Sequence, residues 1–247
     1  MVTSLRVELE TARGIQNAIL PDLPPAVHGI ELAHAYLPAS EVGGDFYDVL
    51  ALDDGRVAVA IGDVAGHGVS SGLVMSMAKS ALAVQTSFDP EVAPVFVTLN
   101  RMVYQSARRR LLSTLCYALV DPRRGQVVFA SAGHVFPYRV RPNGTVEALE
   151  SIAYPLGVRQ HLTIEVKQQA IEPGDALFLF SDGLVEASRE GDDEPFGFTR
   201  LEKSLADHAG ASAGRLRDEV IADVRAFTRF APQTDDLTVL VLRLPAA

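Results

Sequence analysis

Residues 43–68 read GGDFYDVLALDDGRVAVAIGDVAGHG, and this stretch limits the fold more than any other part of the chain. VLAL and RVAVAIG have strand composition, and Asp53-Asp54-Gly55 is turn chemistry. With Asp53, Asp54 and Gly55 as a three-residue hairpin loop and Gly55 left-handed, Leu52 pairs with Arg56. Counting back along both strands puts Asp45 opposite Asp63 on one face, with Cβ atoms roughly 4.5–5.5 Å apart. Two carboxylates so placed repel, so a cation belongs between them, and a divalent metal ion is the obvious candidate. A two-residue turn at Asp54-Gly55 would instead shift the register by one and separate the pair.

The rest of the chain alternates strand hairpins with blocks of helix. Strands are expected within 29–63 and at 115–120, 126–131, 135–141, 145–149, 162–170, 175–181 and 237–244. Helices are expected at 2–20, 69–84, 91–109, 199–207 and 212–230, with a polar loop at 188–198. This order argues an α+β fold of mainly antiparallel sheets covered by helices in layers. The 247 residues, 48% of them hydrophobic, suffice for one large domain, and no linker-like or low-complexity tract divides them.

A formal net charge of −9 argues against nucleic acid or an anionic membrane as the main partner. The basic run Arg108-Arg109-Arg110 ends an expected helix, where positive charge is favourable without any ligand. No run approaches the roughly 18 apolar residues of a membrane span, and the N-terminus lacks a signal-peptide core, so the cytoplasm is the expected compartment. The single cysteine, Cys116, lies in an apolar segment and reads as a buried small hydrophobe.

Two further motifs repeat the placement of the first aspartates. ALFLF runs into Ser181-Asp182-Gly183, and Asp235-Asp236 immediately precede LTVLVLRL. Each of these aspartates alone could simply cap a turn or helix. Brought together, Asp45, Asp63, Asp182 and Asp235/Asp236 would form an all-oxygen site suited to Mg²⁺ or Mn²⁺.

The segments GGDFYD, IGDVAGHG, FSDGLVEA and DDLTVLVL, in that order, resemble the metal-dependent protein phosphatases (PPM, type 2C), most closely the bacterial branch named after stage II sporulation protein E. The likeness runs from about Ile15 to Leu244 and includes SAGHVFPY and YPLGV. It implies a pair of antiparallel sheets between helices and two Mn²⁺ or Mg²⁺ ions that activate a water for attack on phosphorus. By matching position, Asp45 and Asp63 hold the metals, Asp63 bridging, with the Val64 carbonyl where many relatives have glycine. Asp182 and Asp235 complete the set, and Asp236 assists. The implied substrate is a phosphorylated anti-sigma-factor antagonist protein. Animal type 2C enzymes carry a phosphate-gripping arginine upstream of the first aspartate, and Pro38–Gly44 contains none.

Other residues have two readings. His67, in the turn before a helix, is a candidate to protonate the leaving group, although turn histidines are commonly structural. His134 reads as a structural corner. Asp48, three positions from Asp45, points to the opposite face and reads as structural. The loop 188–198 follows Asp182, and its Phe196 and Phe198 are either substrate anchors or core. Residues 1–20 read as a linker or regulatory helix ahead of a phosphatase domain at 21–247. Val2, Leu5, Leu9, Ala12, Gln16 and Ile19 form a short seam with one polar position, consistent with a weak homodimer, the end of a longer helix, or packing on the chain's own domain. The rival functions are a catalytically silent phosphatase-like scaffold and a nucleotide-binding module. The latter would use Gly62–Gly68, which lacks the Gly-Lys-Ser/Thr ending of a P-loop.

Overall fold

The computed structural model describes residues 2–66, 68–106, 111–192 and 194–246, without the side chains of residues 2–6, 8 and 9. His67 and Arg108–Arg110 therefore lie outside the described residues, as do the seam side chains of Val2, Leu5 and Leu9.

The chain opens with α1 (Val2–Ile19), a short β1 (Ala26–Val27) and β2 (Ile30–Leu37). The hairpin β3 (Phe46–Ala51) and β4 (Val57–Gly62) leads to helices α2 (Val69–Phe88) and α3 (Val92–Ser106). Then come β5 (Leu115–Asp121), β6 (Gln126–Ala132), β7 (Tyr138–Val140), β8 (Val146–Ala148), β9 (Lys167–Ala170) and β10 (Ala176–Phe180). The chain closes with α4 (Asp182–Val185), α5 (Gly197–Asp207), α6 (Ala213–Thr228) and β11 (Leu237–Arg243).

The strands form two sheets with antiparallel pairings, ordered β1-β2-β11-β10-β7-β8 and β3-β4-β5-β6-β9. Three apolar layers hold the sandwich together. Between the sheets lie Ile30, Leu177 and Leu240 from one and Val59, Cys116 and Val127 from the other. The outer face of the second sheet packs on α2 and α3 through Phe46, Met75, Phe96 and Tyr117. The outer face of the first packs on α5 and α6 through Phe178, Leu201, Leu216 and Val239. The α+β expectation of two sheets between helical layers is the architecture observed.

The hairpin has the register argued above. Phe46 pairs with Gly62 and Ala51 with Val57, and the Leu52 N–H donates to the Arg56 carbonyl at 3.0 Å. Gly55, at φ 87°, occupies the left-handed region that the three-residue loop demands. Asp45 and Asp63 flank this ladder at the next opposed position.

The strand expected at 162–170 forms only at Lys167–Ala170. Side chains bond some of the backbone ahead of it. Asn100 donates to the carbonyls of Arg159 and Gln160 and accepts from the Gly157 N–H, and the Ser151 hydroxyl donates to the Glu165 carbonyl. Helix α6 starts at the Ser212 N-cap, which accepts from the Arg215 N–H at 3.3 Å, and stops at left-handed Arg229.

Candidate metal centre

Asp45 precedes β3, Asp63 follows β4, Asp182 opens α4 directly after β10, and Asp235 and Asp236 precede β11. These strand ends lie in two different sheets, yet their carboxylates feel one another. Asp45 is 1% exposed. Burial, and then the charge of Asp63, holds its carboxyl well above the usual carboxylate range. Asp63 is pushed up to about 7 by burial and then by Asp182, Asp235 and Asp236. Asp182 is raised by burial and then by Asp235. Crowded carboxylates without a counter-charge favour protons for the reason they would favour a cation.

Hydroxyl and backbone donors fix these groups in place. Thr238 on β11 donates its hydroxyl to Asp45 Oδ2, a bond from one sheet to the other. The Thr238 N–H donates to Ser181 Oγ, whose hydroxyl donates to the Asp236 carbonyl at 3.1 Å. Asp236 is differently employed from the other aspartates. Its Oδ1 accepts from the Ala39 N–H at 2.8 Å and its Oδ2 from the Gly44 N–H at 2.9 Å, so both oxygens fasten the loop ahead of Asp45. Gly44 passes so close to the site that an added Cβ would lie 2.5 Å from the Val64 carbonyl oxygen and 2.6 Å from Asp63 Oδ1. Those two oxygens therefore line one small space.

His134 is buried, and burial pushes its imidazole down to about 4, so it is neutral near pH 7. The Phe180 carbonyl, 3.0 Å from Nε2, can only accept, so Nε2 carries the proton and Nδ1 accepts from the Thr114 hydroxyl at 2.8 Å. Thr114 Oγ1 in turn accepts from the Asp63 N–H at 3.0 Å. The histidine thus braces the end of β10 against the end of β4. Asp48 accepts from Lys79 Nζ at 2.6 Å, both groups buried on the α2 side. It stands apart from the site, as its place on the strand requires.

Phe196 is not a surface anchor. It is 3% exposed and packs edge-on against Phe227, with ring centroids 5.6 Å apart. The Phe196 N–H bonds the Ala187 carbonyl and closes the loop, which draws the ring into the helical layer. Phe198 is half-exposed, edge-on to Phe180. The sequence alone does not single out Thr114, and it marks Ser181 and Thr238 only by placing them one and two positions from Asp182 and Asp236. It does not single out Glu186 either. Its carboxyl is raised by burial and then by Asp182 and Asp235, which places it beside the cluster.

Among the described residues, no three His, Cys, Asp or Glu side chains stand close enough together to hold an ion as they are. The donor chemistry nevertheless fits a hard dication: the donors are oxygens, most of them carboxylate, with the Val64 carbonyl oxygen directed at the same space as Asp63. The buried Tyr36 hydroxyl, which has no hydrogen-bond partner among the described residues, adds another oxygen beside Gly43.

The profile of the family described as Stage II sporulation protein E (SpoIIE) matches residues 53–245. The chain belongs to this family. It is 30% identical over 244 residues to the phosphoserine phosphatase RsbU of Bacillus subtilis, covering 97% of this chain and 70% of that protein. The SiaA-PP2C domain of Pseudomonas aeruginosa superposes with a TM-score of 0.87 at 24% identity, covering 98% of both chains. The RsbU and RsbW domains of a Mycobacterium tuberculosis protein superpose with a TM-score of 0.76 at 30% identity, covering 90% of this chain and 62% of that one. The chain spans between 25% and 70% of the length of five curated relatives, RsbU among them. No helix among the described residues is long and apolar enough to cross a membrane.

Proposed function

We propose that this chain is a serine/threonine phosphoprotein phosphatase using two Mn²⁺ or Mg²⁺ ions, held by Asp45, Asp63, Asp182 and Asp235 with the Val64 carbonyl. The observation that carries the reading is the mutual crowding of Asp45, Asp63, Asp182 and Asp235 at converging strand ends, with no basic side chain among the described residues acting on them. Dications bound there would activate a water and neutralise phosphate oxygens. The chain's own part is to hold the donors. Thr238 orients Asp45, Thr114 and His134 fix the Asp63 backbone, and Asp236 pins the loop that carries Gly44.

The substrate is a phosphorylated anti-sigma-factor antagonist, acted on in the cytoplasm. The 30% identity to RsbU and the likeness to a structure that joins RsbU and RsbW domains support this reading. Residues flanking the phosphoserine meet half-exposed Phe198 and a groove of about 270 Å³ beside Asp235, which Val224, Arg225 and exposed Phe230 line. Residues 1–20 act as a linker or regulatory helix that supports weak dimerisation, and residues 21–247 form the phosphatase domain. A silent scaffold would have no use for this uncompensated acidic cluster.

Purified protein should release phosphate from a phosphoserine protein and from p-nitrophenyl phosphate only when Mn²⁺ or Mg²⁺ is added. Metal-independent turnover, or none with either ion, would overturn the reading.

A further inference from the structure

Gln16, the polar residue in the apolar seam of α1, is 4% exposed, the most buried described side chain of that helix. Its amide meets a single residue of the site loop at two points. Nε2 donates to the Gly43 carbonyl at 2.7 Å, and Oε1 accepts from the Gly43 N–H at 3.0 Å. The next amide, Gly44 N–H, is held by Asp236, and Asp45 follows directly. Gly72 of α2 makes room for the neighbouring Val42, where an added Cβ would lie 2.4 Å from its side chain. Two consecutive amides ahead of a proposed metal ligand are thus each tied to a side chain from a remote part of the chain.

We propose that Gln16 is a positioning residue. Its clamp on Gly43 sets the path of Gly43-Gly44-Asp45, and with it the approach of Asp45 and Gly44 to Asp63 and the Val64 carbonyl. The inference rests on the phosphatase reading for its catalytic consequence and on the hydrogen bonds alone for its structural one. Gln16 touches neither substrate nor the carboxylates, so it acts only through the loop. A glycine pair has no side chain of its own to fix its backbone, which is why an outside amide has leverage here.

The test compares Gln16→Met, which keeps length and helix preference but removes both hydrogen bonds, with Asn17→Ala at an exposed neighbour. Three measurements on the full chain are needed: hydrogen exchange at the Gly43 and Gly44 amides, Mn²⁺ binding by calorimetry, and kcat and KM for p-nitrophenyl phosphate against Mn²⁺ concentration. Gln16→Met should speed exchange at both amides and weaken Mn²⁺ binding roughly threefold to thirtyfold, the range carried by one or two ordinary hydrogen bonds. Its kcat should recover at saturating Mn²⁺ with KM unchanged, while Asn17→Ala should match the parent. Unchanged exchange would overturn the clamp. Faster exchange with unchanged Mn²⁺ binding would overturn its positioning role, and so would a kcat loss that Mn²⁺ cannot restore. If the parent itself hydrolyses nothing, the phosphatase reading fails, and the exchange and binding measurements still decide the clamp.

Discussion

Strand β10 begins and ends with a buried or half-buried aspartate, and the two ends treat their charge in opposite ways. Asp175, just before the strand, is fully buried against Arg139, whose Nε donates to Oδ2 at 2.6 Å. The Glu172 N–H donates to the same oxygen, and Glu147 and Glu172 lie within 3.7 Å of the guanidinium. Asp182, just after the strand, meets Asp63 and Asp235 and, among the described residues, no cation. The hairpin β3–β4 repeats the contrast over three residues, since Asp48 has Lys79 while Asp45 has Asp63. A carboxylate matched inside the fold belongs to the architecture. A carboxylate surrounded by its own kind is held ready for charge from outside, at a cost to the stability of the metal-free chain.

Substitutions at the two ends should therefore separate activity from stability. Asp63→Asn and Asp182→Asn should each lower Mn²⁺-dependent turnover by more than about 100-fold, the loss that even outer-shell partners of a metal can cause. Both should melt no lower than the parent in EDTA, because repulsion is relieved; a large drop in that melting temperature would show that these groups support the fold. Arg139→Met should do the reverse. It strands Asp175 as a buried unpaired charge and should cost about 3–5 kcal/mol in urea unfolding, most of it recovered by adding Asp175→Leu. Asp48→Asn should destabilise through buried Lys79, whereas Asp45→Asn should not, a difference of about 1–3 kcal/mol by the same measurement.

A further effect is on pH. Asp63 has a folded value of about 7 against an ordinary 3.8, so the folded chain binds its proton more tightly than the unfolded chain does. This contribution is fully present below about 3.8 and is lost as pH rises through about 7. Metal-free protein should therefore melt at progressively lower temperature as pH rises across that window, and added Mn²⁺ should flatten the trend. Calorimetry showing a metal-free melting temperature that rises with pH there would contradict the crowding.

The hairpin was legible from its sequence because Asp53-Asp54-Gly55 lies between two apolar runs, although a two-residue turn stayed open until the structure showed the three-residue loop. The layered fold was legible because ALFLF is apolar throughout and LTVLVLRL is nearly so, as strands covered on both sides must be. The placement of Asp48 followed from period two alone. The fastenings were not legible. Thr238 and His134 act between sheets, and nothing in their local sequence states which strand end will lie opposite. Phe196 could be read as an anchor or as core because its loop is polar, and the direction of its ring depends on how Ala187 and Phe196 close that loop. Gln16 looked like a flaw in an apolar seam, and its partner is a backbone glycine 27 positions away, beyond the reach of any pattern of side chains.

Cys116 sits on β5 in the layer between the two sheets, completely buried, with its thiol pushed up to about 12 by that burial. A thiol so placed is inert while the sheets stay together, and it becomes an ordinary reactive thiol when they part. The chain therefore carries its own clock for sandwich opening. The rate at which an aryl disulfide reagent labels the protein counts excursions of the innermost layer, without any engineered probe. Because the proposed ions would bind strand ends from both sheets, their arrival should register as a slowing of that clock even when no substrate is present.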